Sequence, residues 1–131
     1  MKHYKKVLTI AGSDSGGGAG IQADIKTISA CGCYAMSAIT AITAQNTVEV
    51  SEIHNVPADM VAAQIAAVLE DIGADAVKLG MLPTEASVVA IAGLLKKYEV
   101  TNVVLDPVMV STSGSRLIDE PAAEAIRTHL F

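Results

Sequence analysis

Short apolar runs along the chain alternate with longer stretches in which apolar residues recur every three or four positions. The runs are rich in Val, Ile, Leu and Ala, and Gly12 and Gly80 follow or close two of them. Runs of this composition between turn residues predict β-strands. The pattern predicts five strands, at residues 6–11, 34–43, 48–56, 76–80 and 102–106. The third run alternates between apolar and polar residues, which indicates a more exposed strand.

The stretches between these runs carry helical periodicity. Ile21, Ile25 and Ile28 recur at helical spacing before a glycine, and a second series over residues 61–72 also ends at a glycine. Thr84 is predicted to cap a third helix, and a fourth is predicted to begin near residue 119 or 121. Four helices are therefore expected between and after the strands.

Strands that alternate with helices predict β-α-β units, hence an α/β fold with a mostly parallel sheet and helices on both faces. The fifth run is continuously apolar, which predicts a strand covered on both faces. A further strand is expected after the fourth helix, but the sequence stops at Phe131. We therefore expect residues 1–131 to form the N-terminal part of a single domain and to leave an apolar sheet edge or face exposed.

Composition and charge narrow the class of function. The chain is 51% hydrophobic and 18% charged, which excludes a disordered protein. A net charge of -5 and the near absence of aromatic residues argue against binding nucleic acid or an anionic membrane. No segment has the length of a secretory signal or a membrane span, so the protein is expected to be cytoplasmic and to bind a small molecule or another protein.

The cysteines and histidines suggest no metal site. Cys31 and Cys33 are too close for an easy disulfide and lack the second pair that a zinc site requires. They are expected to be reduced thiols in or near the core. His3, His54 and His129 lack metal-ligand spacing and are expected at the surface or in packing positions.

The glycine-rich segment 12–24 is the first of three polar segments expected at the carboxyl edge of the sheet, where open parallel sheets bind ligands. Its backbone N–H groups and the following helix N-terminus are expected to approach a ligand, although a plain surface loop is the alternative. The segment fits neither the Walker A motif nor the dinucleotide fingerprint. Asp24 lies at the margin of the apolar helix stripe, and its carboxylate requires donors, either from nearby backbone or from a ligand's amine.

The other two segments end further strands. Gln45 offers a donor and an acceptor, which suits the edge of a heteroaromatic ring, although an ordinary turn is the alternative. Asp106 ends the fifth strand, where a carboxylate can hold Mg²⁺ or its waters near phosphates or can merely cap a turn. Met81 can cover an apolar ring or belong to the core.

Residues 9–27 (TIAGSDSGGGAGIQADIKT) resemble the opening signature of the hydroxymethylpyrimidine and phosphomethylpyrimidine kinases. Residues 41–47 (AITAQNT), 77–82 (VKLGML) and 103–109 (VVLDPVM) match that family in order and spacing. The resemblance covers nearly all of the chain but only about the first half of the family's pattern. It implies a ribokinase-like fold and a thiamine-biosynthesis kinase that uses ATP and Mg²⁺. Such an enzyme phosphorylates 4-amino-5-hydroxymethyl-2-methylpyrimidine and then its monophosphate.

The resemblance also implies site residues by position. Asp106 would help to place Mg²⁺ and the phosphates. Six residues would contact the pyrimidine, two by side-chain hydrogen bonds, two through backbone and two by apolar packing: Asp24 and Gln45, Gly12 and Ala19, Met81 and Val108. The family's Thr-Pro-Asn segment with its metal-associated Glu, and its Gly-Thr-Gly turn, are absent. No catalytic residue is therefore expected in this chain, which alone should be inactive.

Two alternatives stay open. The same fold phosphorylates pyridoxal or pyridoxine, whose rings also carry a hydroxymethyl group. A non-catalytic pyrimidine-binding or regulatory module is the interpretation from a different class, favoured if the natural chain is this short. Under each of these interpretations, the sequence leaves open whether the protein forms a homodimer.

Overall fold

A five-stranded sheet organises the computed structural model, which describes residues 2–111 and 113–131. The strand order is β3-β2-β1-β4-β5. β1 is parallel to both β2 and β4, β4 is parallel to β5, and β3 is antiparallel to β2. The predicted mostly parallel α/β sheet is confirmed, with these strand bounds: β1 Lys6–Asp14, β2 Tyr34–Gln45, β3 Val50–Asn55, β4 Ala76–Leu79 and β5 Val103–Leu105.

The described chain has four helices, as predicted: α1 Gly20–Ala30, α2 Ala58–Asp71, α3 Glu85–Lys97 and α4 Glu120–His129. α1 packs on β1 and β2, whereas α2 packs on β2 and α3, and α3 packs on α4. Thr84 caps α3, because its hydroxyl accepts a hydrogen bond from the Ser87 N–H at 3.2 Å. Asp119 caps α4 in the same way, accepting from the Ala122 N–H at 2.8 Å.

The alternation of side chains along β1 separates the two faces of the sheet. Leu8 and Ile10 have no exposed surface and belong to the core formed with α2, α3 and α4. Thr9, between them, points to the other face and contacts α1. Burying an aliphatic side chain of this size contributes about 1.5–3 kcal/mol. The core therefore stabilises mainly the face opposite α1.

Two strands depart from the sequence-based expectations. β1 does not end before Gly12 but continues to Asp14, with a register shift against β2 between Ala11 and Ser13. The prediction that the fifth strand is covered on both faces is wrong, since Val104 is 65% exposed. β5 is an edge strand, and α1 lies over β1 and β2. The expected exposed apolar edge is therefore present in this structure.

The remaining expectations concern thiols, histidines and membranes. Both cysteines are free, but Cys31 is exposed rather than in or near the core because it follows the last turn of α1. His3, His54 and His129 are exposed, and the described residues contain no cluster of three side chains able to hold a metal ion. None of the helices within residues 2–111 and 113–131 combines the length and the apolar composition that a membrane span requires.

Candidate functional site

A cavity of about 300 Å³ opens at the carboxyl ends of β1, β2, β4 and β5. This is the edge at which open parallel sheets bind ligands. Its lining includes residues from β1, α1, β2 and β4 and from the segment after β5. All seven residues that the sequence singled out line it: Gly12, Ala19, Asp24, Gln45, Met81, Asp106 and Val108.

Asp14, which the sequence did not single out, organises the glycine loop between β1 and α1. Asp14 is buried, with 5% of its surface exposed. Its carboxylate accepts hydrogen bonds from the N–H groups of Gly16 at 2.8 Å, Gly18 at 3.0 Å and Ala19 at 2.9 Å. Three of the N–H groups that the sequence offered to a ligand are therefore engaged within the protein. The loop already holds an anion of its own next to the N-terminus of α1, where negative charge is favourable. Ala19 lines the cavity, but its N–H is engaged.

Gly20 brings the start of α1 directly against β1. Its φ is +58°, and a Cβ at this position would lie 2.3 Å from the carbonyl oxygen of Gly12. No other residue type fits this approach without moving the backbone. The close contact fixes Gly12 against the start of α1, and both glycines line the cavity.

Gln45 lines the cavity and is held in place by its backbone. Its N–H donates to the Ser15 hydroxyl at 2.8 Å, and that hydroxyl donates to the Gln45 carbonyl at 2.6 Å. The Thr43 hydroxyl lies 3.3 Å from Gln45 Oε1, a long contact, and donates at 2.6 Å to the Ser13 carbonyl. Among the described residues, Gln45 Nε2 makes no hydrogen bond, so it is available to a ligand.

Asp24 has two side-chain partners that the sequence did not predict. Its Oδ2 accepts from the Thr9 hydroxyl at 2.6 Å and from Lys78 Nζ at 2.8 Å. The Asp24 and Lys78 side chains are 18% and 24% exposed. The sequence left nearby backbone or a ligand as the possible donors, whereas the donors in the structure are side chains of two strands, β1 and β4.

Met81 belongs both to the core and to the cavity, so the two alternatives for it are not exclusive. Its carbonyl accepts from the buried Thr40 hydroxyl at 2.6 Å. Val108 is half-buried beside it in the lining. The Asp106 N–H donates to the Leu79 carbonyl at 2.9 Å, which extends the β4–β5 ladder by one step and leaves the Asp106 carboxylate exposed in the lining.

Two pKa shifts occur away from the cavity. The backbone N–H of Lys6 donates to Asp75 and lowers the pKa of that carboxyl, with a smaller contribution from the positive charge of Lys5. The hydroxyl of Tyr98 donates to the carboxylate of Glu70, which raises the pKa of the tyrosine. Neither group lines the cavity, so these shifts bear on stability rather than on ligand binding.

Comparison with known proteins decides the family. The model of the phosphomethylpyrimidine kinase family matches residues 14–131. The chain belongs to this family. A thiamine biosynthesis bifunctional protein of Geobacter sulfurreducens is 54% identical over 125 residues, which cover 95% of this chain and 26% of that protein. The hydroxymethylpyrimidine/phosphomethylpyrimidine kinase of Salmonella typhimurium is 49% identical over 124 residues, covering 95% of this chain and 47% of the enzyme.

Solved structures of the family share the fold. The crystal structure of phosphomethylpyrimidine kinase from Clostridium difficile superimposes with a TM-score of 0.90 at 50% identity, covering 96% of this chain and 55% of that one. A pyridoxal kinase from Staphylococcus aureus, in complex with AMP-PCP and pyridoxal, gives a TM-score of 0.82 at 36% identity, covering 98% and 45%. The chain thus has the ribokinase-like fold and spans about half or less of the length of these relatives.

Proposed function

We propose that this chain carries the pyrimidine-binding half of a kinase of thiamine biosynthesis. The reaction is phosphoryl transfer from ATP to the hydroxymethyl group of 4-amino-5-hydroxymethyl-2-methylpyrimidine, and then to the resulting monophosphate. The observation that carries the proposal is that one cavity collects Asp24, Gln45 and Asp106, residues far apart in sequence, in a chain of this family. The proposed enzyme works in the cytoplasm.

The lining matches an aminopyrimidine in polarity and size. Asp24 offers a carboxylate oxygen to an amino group, and Gln45 offers an amide to a ring nitrogen or substituent. Met81 and Val108 supply apolar surface for the ring faces. A cavity of about 300 Å³ lies at the small end of the range for ligand pockets, which suits a single substituted ring.

The proposal requires ATP and Mg²⁺, and Asp106 is the residue that would help to hold the metal. Mg²⁺ in phosphoryl-transfer sites uses one or two carboxylates together with phosphate oxygens and waters. One exposed carboxylate in the lining fits that requirement, and the described residues offer no three-ligand cage. When bound, the metal neutralises charge on the transferred phosphate. We place the residues that activate the hydroxyl group of the substrate in the part of the family's pattern that this chain does not span.

Ligand affinity measured by calorimetry tests the proposal. The 131-residue chain should bind the aminopyrimidine more tightly than pyridoxal. Gln45→Ala should weaken aminopyrimidine binding by about 1–3 kcal/mol, because a ligand group loses its buried partner. Gln64→Ala is the matched control, since Gln64 bonds both backbone groups of Ile39 outside the cavity. It should lower thermal stability and leave the affinity unchanged. Unchanged affinity in Gln45→Ala would count against the site.

A turnover assay with the chain alone tests whether the catalytic groups lie outside this chain. With Mg-ATP and the pyrimidine, the chain should form no product above background, because phosphoryl transfer needs groups beyond the pyrimidine site. Turnover on the order of 1 per second, ordinary for such kinases, would show that the catalytic groups are present after all.

Pyridoxal phosphorylation is the second candidate. It is favoured by the match to the pyridoxal kinase of Staphylococcus aureus, at 37% identity and a TM-score of 0.84 for its complex with pyridoxal. Tighter binding of pyridoxal than of the aminopyrimidine would decide for it. A non-catalytic pyrimidine-binding module would bind the aminopyrimidine, and a reading frame that ends at Phe131 would favour it.

A further inference from the structure

The two oxygens of the Asp24 carboxylate have different surroundings. Oδ2 accepts two hydrogen bonds, from the Thr9 hydroxyl at 2.6 Å and from Lys78 Nζ at 2.8 Å. Oδ1 accepts none from the described residues, and Asp24 lines the cavity. Buried side-chain polar atoms in the described chain all have partners, so Oδ1 is an accessible acceptor rather than a buried unpaired one.

The sheet register determines which residues hold Oδ2. Thr9 on β1 and Lys78 on β4 are direct partners in the parallel ladder, so their side chains stand side by side on the face beneath α1. Asp24 comes from α1 and lies above both. Thr9 has no exposed surface, so water cannot replace the carboxylate as the acceptor of the Thr9 hydroxyl hydrogen.

Gly80 leaves the space that the ammonium group of Lys78 needs. A Cβ at position 80 would lie 3.0 Å from Lys78 Nζ and 2.8 Å from the Cβ of Ala11. Any side chain there would press on Lys78, on β1 or on both. The glycine, the lysine and the threonine thus form one arrangement around a single carboxylate oxygen.

We propose that Thr9 and Lys78 are positioning residues that make the cavity selective for a ring amino group over a ring carbonyl. They occupy Oδ2 and prevent rotation of the carboxylate, so that Oδ1 always presents an acceptor to the ligand. Lys78 also balances the charge of the Asp24 carboxylate, so this largely buried carboxylate is not left unpaired. An amino group donates to Oδ1, whereas a carbonyl oxygen would face it as a second acceptor, which penalises the oxo compound. This inference rests on the proposed function and adds the source of its selectivity.

The test compares the affinities of two ligands by calorimetry in this chain and its variants. The ligands are 4-amino-5-hydroxymethyl-2-methylpyrimidine and its 4-oxo analogue. The unmodified chain should prefer the amino compound by at least about 100-fold, since polar sites reject mismatched groups strongly. Thr9→Val and Lys78→Met should each reduce that preference by about 10-fold, the effect of one hydrogen bond to a charged group. Thr9→Ser, which keeps the hydroxyl, should restore it.

Lys26→Met is the matched control for Lys78→Met. Lys26 Nζ donates to the Gly17 carbonyl at 2.9 Å, and Lys26 is exposed and does not line the cavity. Its loss should leave the preference unchanged. Thermal unfolding of every variant separates loss of fold from loss of selectivity. If Thr9→Val does not fold, Lys78→Met, with its partly exposed side chain, decides the question.

The outcomes distinguish the two proposals. If the unmodified chain does not bind the amino compound, the proposed function fails. If it binds and discriminates, but folded Thr9→Val and Lys78→Met keep the full preference, the positioning role is wrong and the proposed function stands. An increased affinity of Lys78→Met for the amino compound, with unchanged preference, would also overturn the positioning role.

Discussion

Replacing Asp14 by Asn would test how the glycine loop holds its shape. The Asp14 carboxylate accepts three backbone hydrogen bonds, one on Oδ1 from Gly16 and two on Oδ2 from Gly18 and Ala19. Asn has nearly the same volume, but one of its two terminal atoms is a donor rather than an acceptor. If the amide oxygen stays on Gly18 and Ala19, the NH₂ group faces the N–H of Gly16. One bond is therefore lost outright, and the other two become neutral.

The magnitude follows from the environment of these bonds. Hydrogen bonds to charged groups contribute about 1.5–3 kcal/mol each, and neutral ones about 0.5–1.5 kcal/mol. Losing one and neutralising two therefore removes about 3–6 kcal/mol in total. Gly16 and Gly18 are exposed, so water replaces part of what they lose. We expect Asp14→Asn to lower the free energy of unfolding by about 2–4 kcal/mol.

Urea denaturation followed by circular dichroism would measure this change. Asp71→Asn is the matched control, because Asp71 is exposed at the end of α2 and makes no hydrogen bond with its side chain among the described residues. It should change stability by less than about 0.5 kcal/mol. Amide exchange at Gly18 and Ala19 should also accelerate in Asp14→Asn. A destabilisation as small as that of the control would refute the role of Asp14 in holding the loop.

Three further predictions follow from other contacts. Gly20→Ala should destabilise the fold by about 2–5 kcal/mol, because the backbone there is left-handed and the new Cβ would overlap a carbonyl oxygen of β1. Gly93→Ala should instead stabilise the fold by about 1 kcal/mol, because Gly93 lies within α3 and faces open space. Chemical denaturation measures both changes. The lowered pKa of Asp75 means that its stabilisation is complete above about pH 4 and is lost as the pH falls below that value. The difference in melting temperature between the unmodified chain and Asp75→Asn should therefore decrease as the pH is lowered below about 4, and a difference that does not decrease would contradict this. Val104→Lys should reduce self-association in light scattering without lowering the melting temperature, since Val104 is 65% exposed on an edge strand.

The elements of the fold could be predicted from the sequence because each depends on local pattern. Thr84 caps α3 as its residue type and position indicate, and Gly32 and Gly73 follow helices with positive φ. The exposure of Val104 could not be predicted in this way. A continuous apolar run indicates that a strand belongs in a sheet, but not whether a helix lies over it.

The site was only partly predictable. Gln45 was identifiable as a polar residue that follows a strand, and Asp24 as a carboxylate at the margin of an apolar helix stripe; both line the cavity. The bond between Asp24 and Lys78 joins residues 54 positions apart, so only the sheet register reveals it. Lys78 did carry a signal, since it is the one charged residue within β4. Asp14 also carried one, because an aspartate two residues before a glycine run often bonds its backbone.

The position of β1 has a consequence for synthesis of the protein. β1 precedes every other strand of the described chain, yet it lies at the centre of the sheet between β2 and β4. β2 ends at Gln45 and β4 begins at Ala76, so about 30 residues must be translated between the arrival of the two neighbours. At about 5–20 residues per second, this takes about 2–6 s. During that interval the backbone groups along one edge of β1 have no strand to pair with, and such edges recruit strands from other chains. Every nascent copy therefore passes through a period of seconds in which the strand that leads into the glycine loop is open to aggregation.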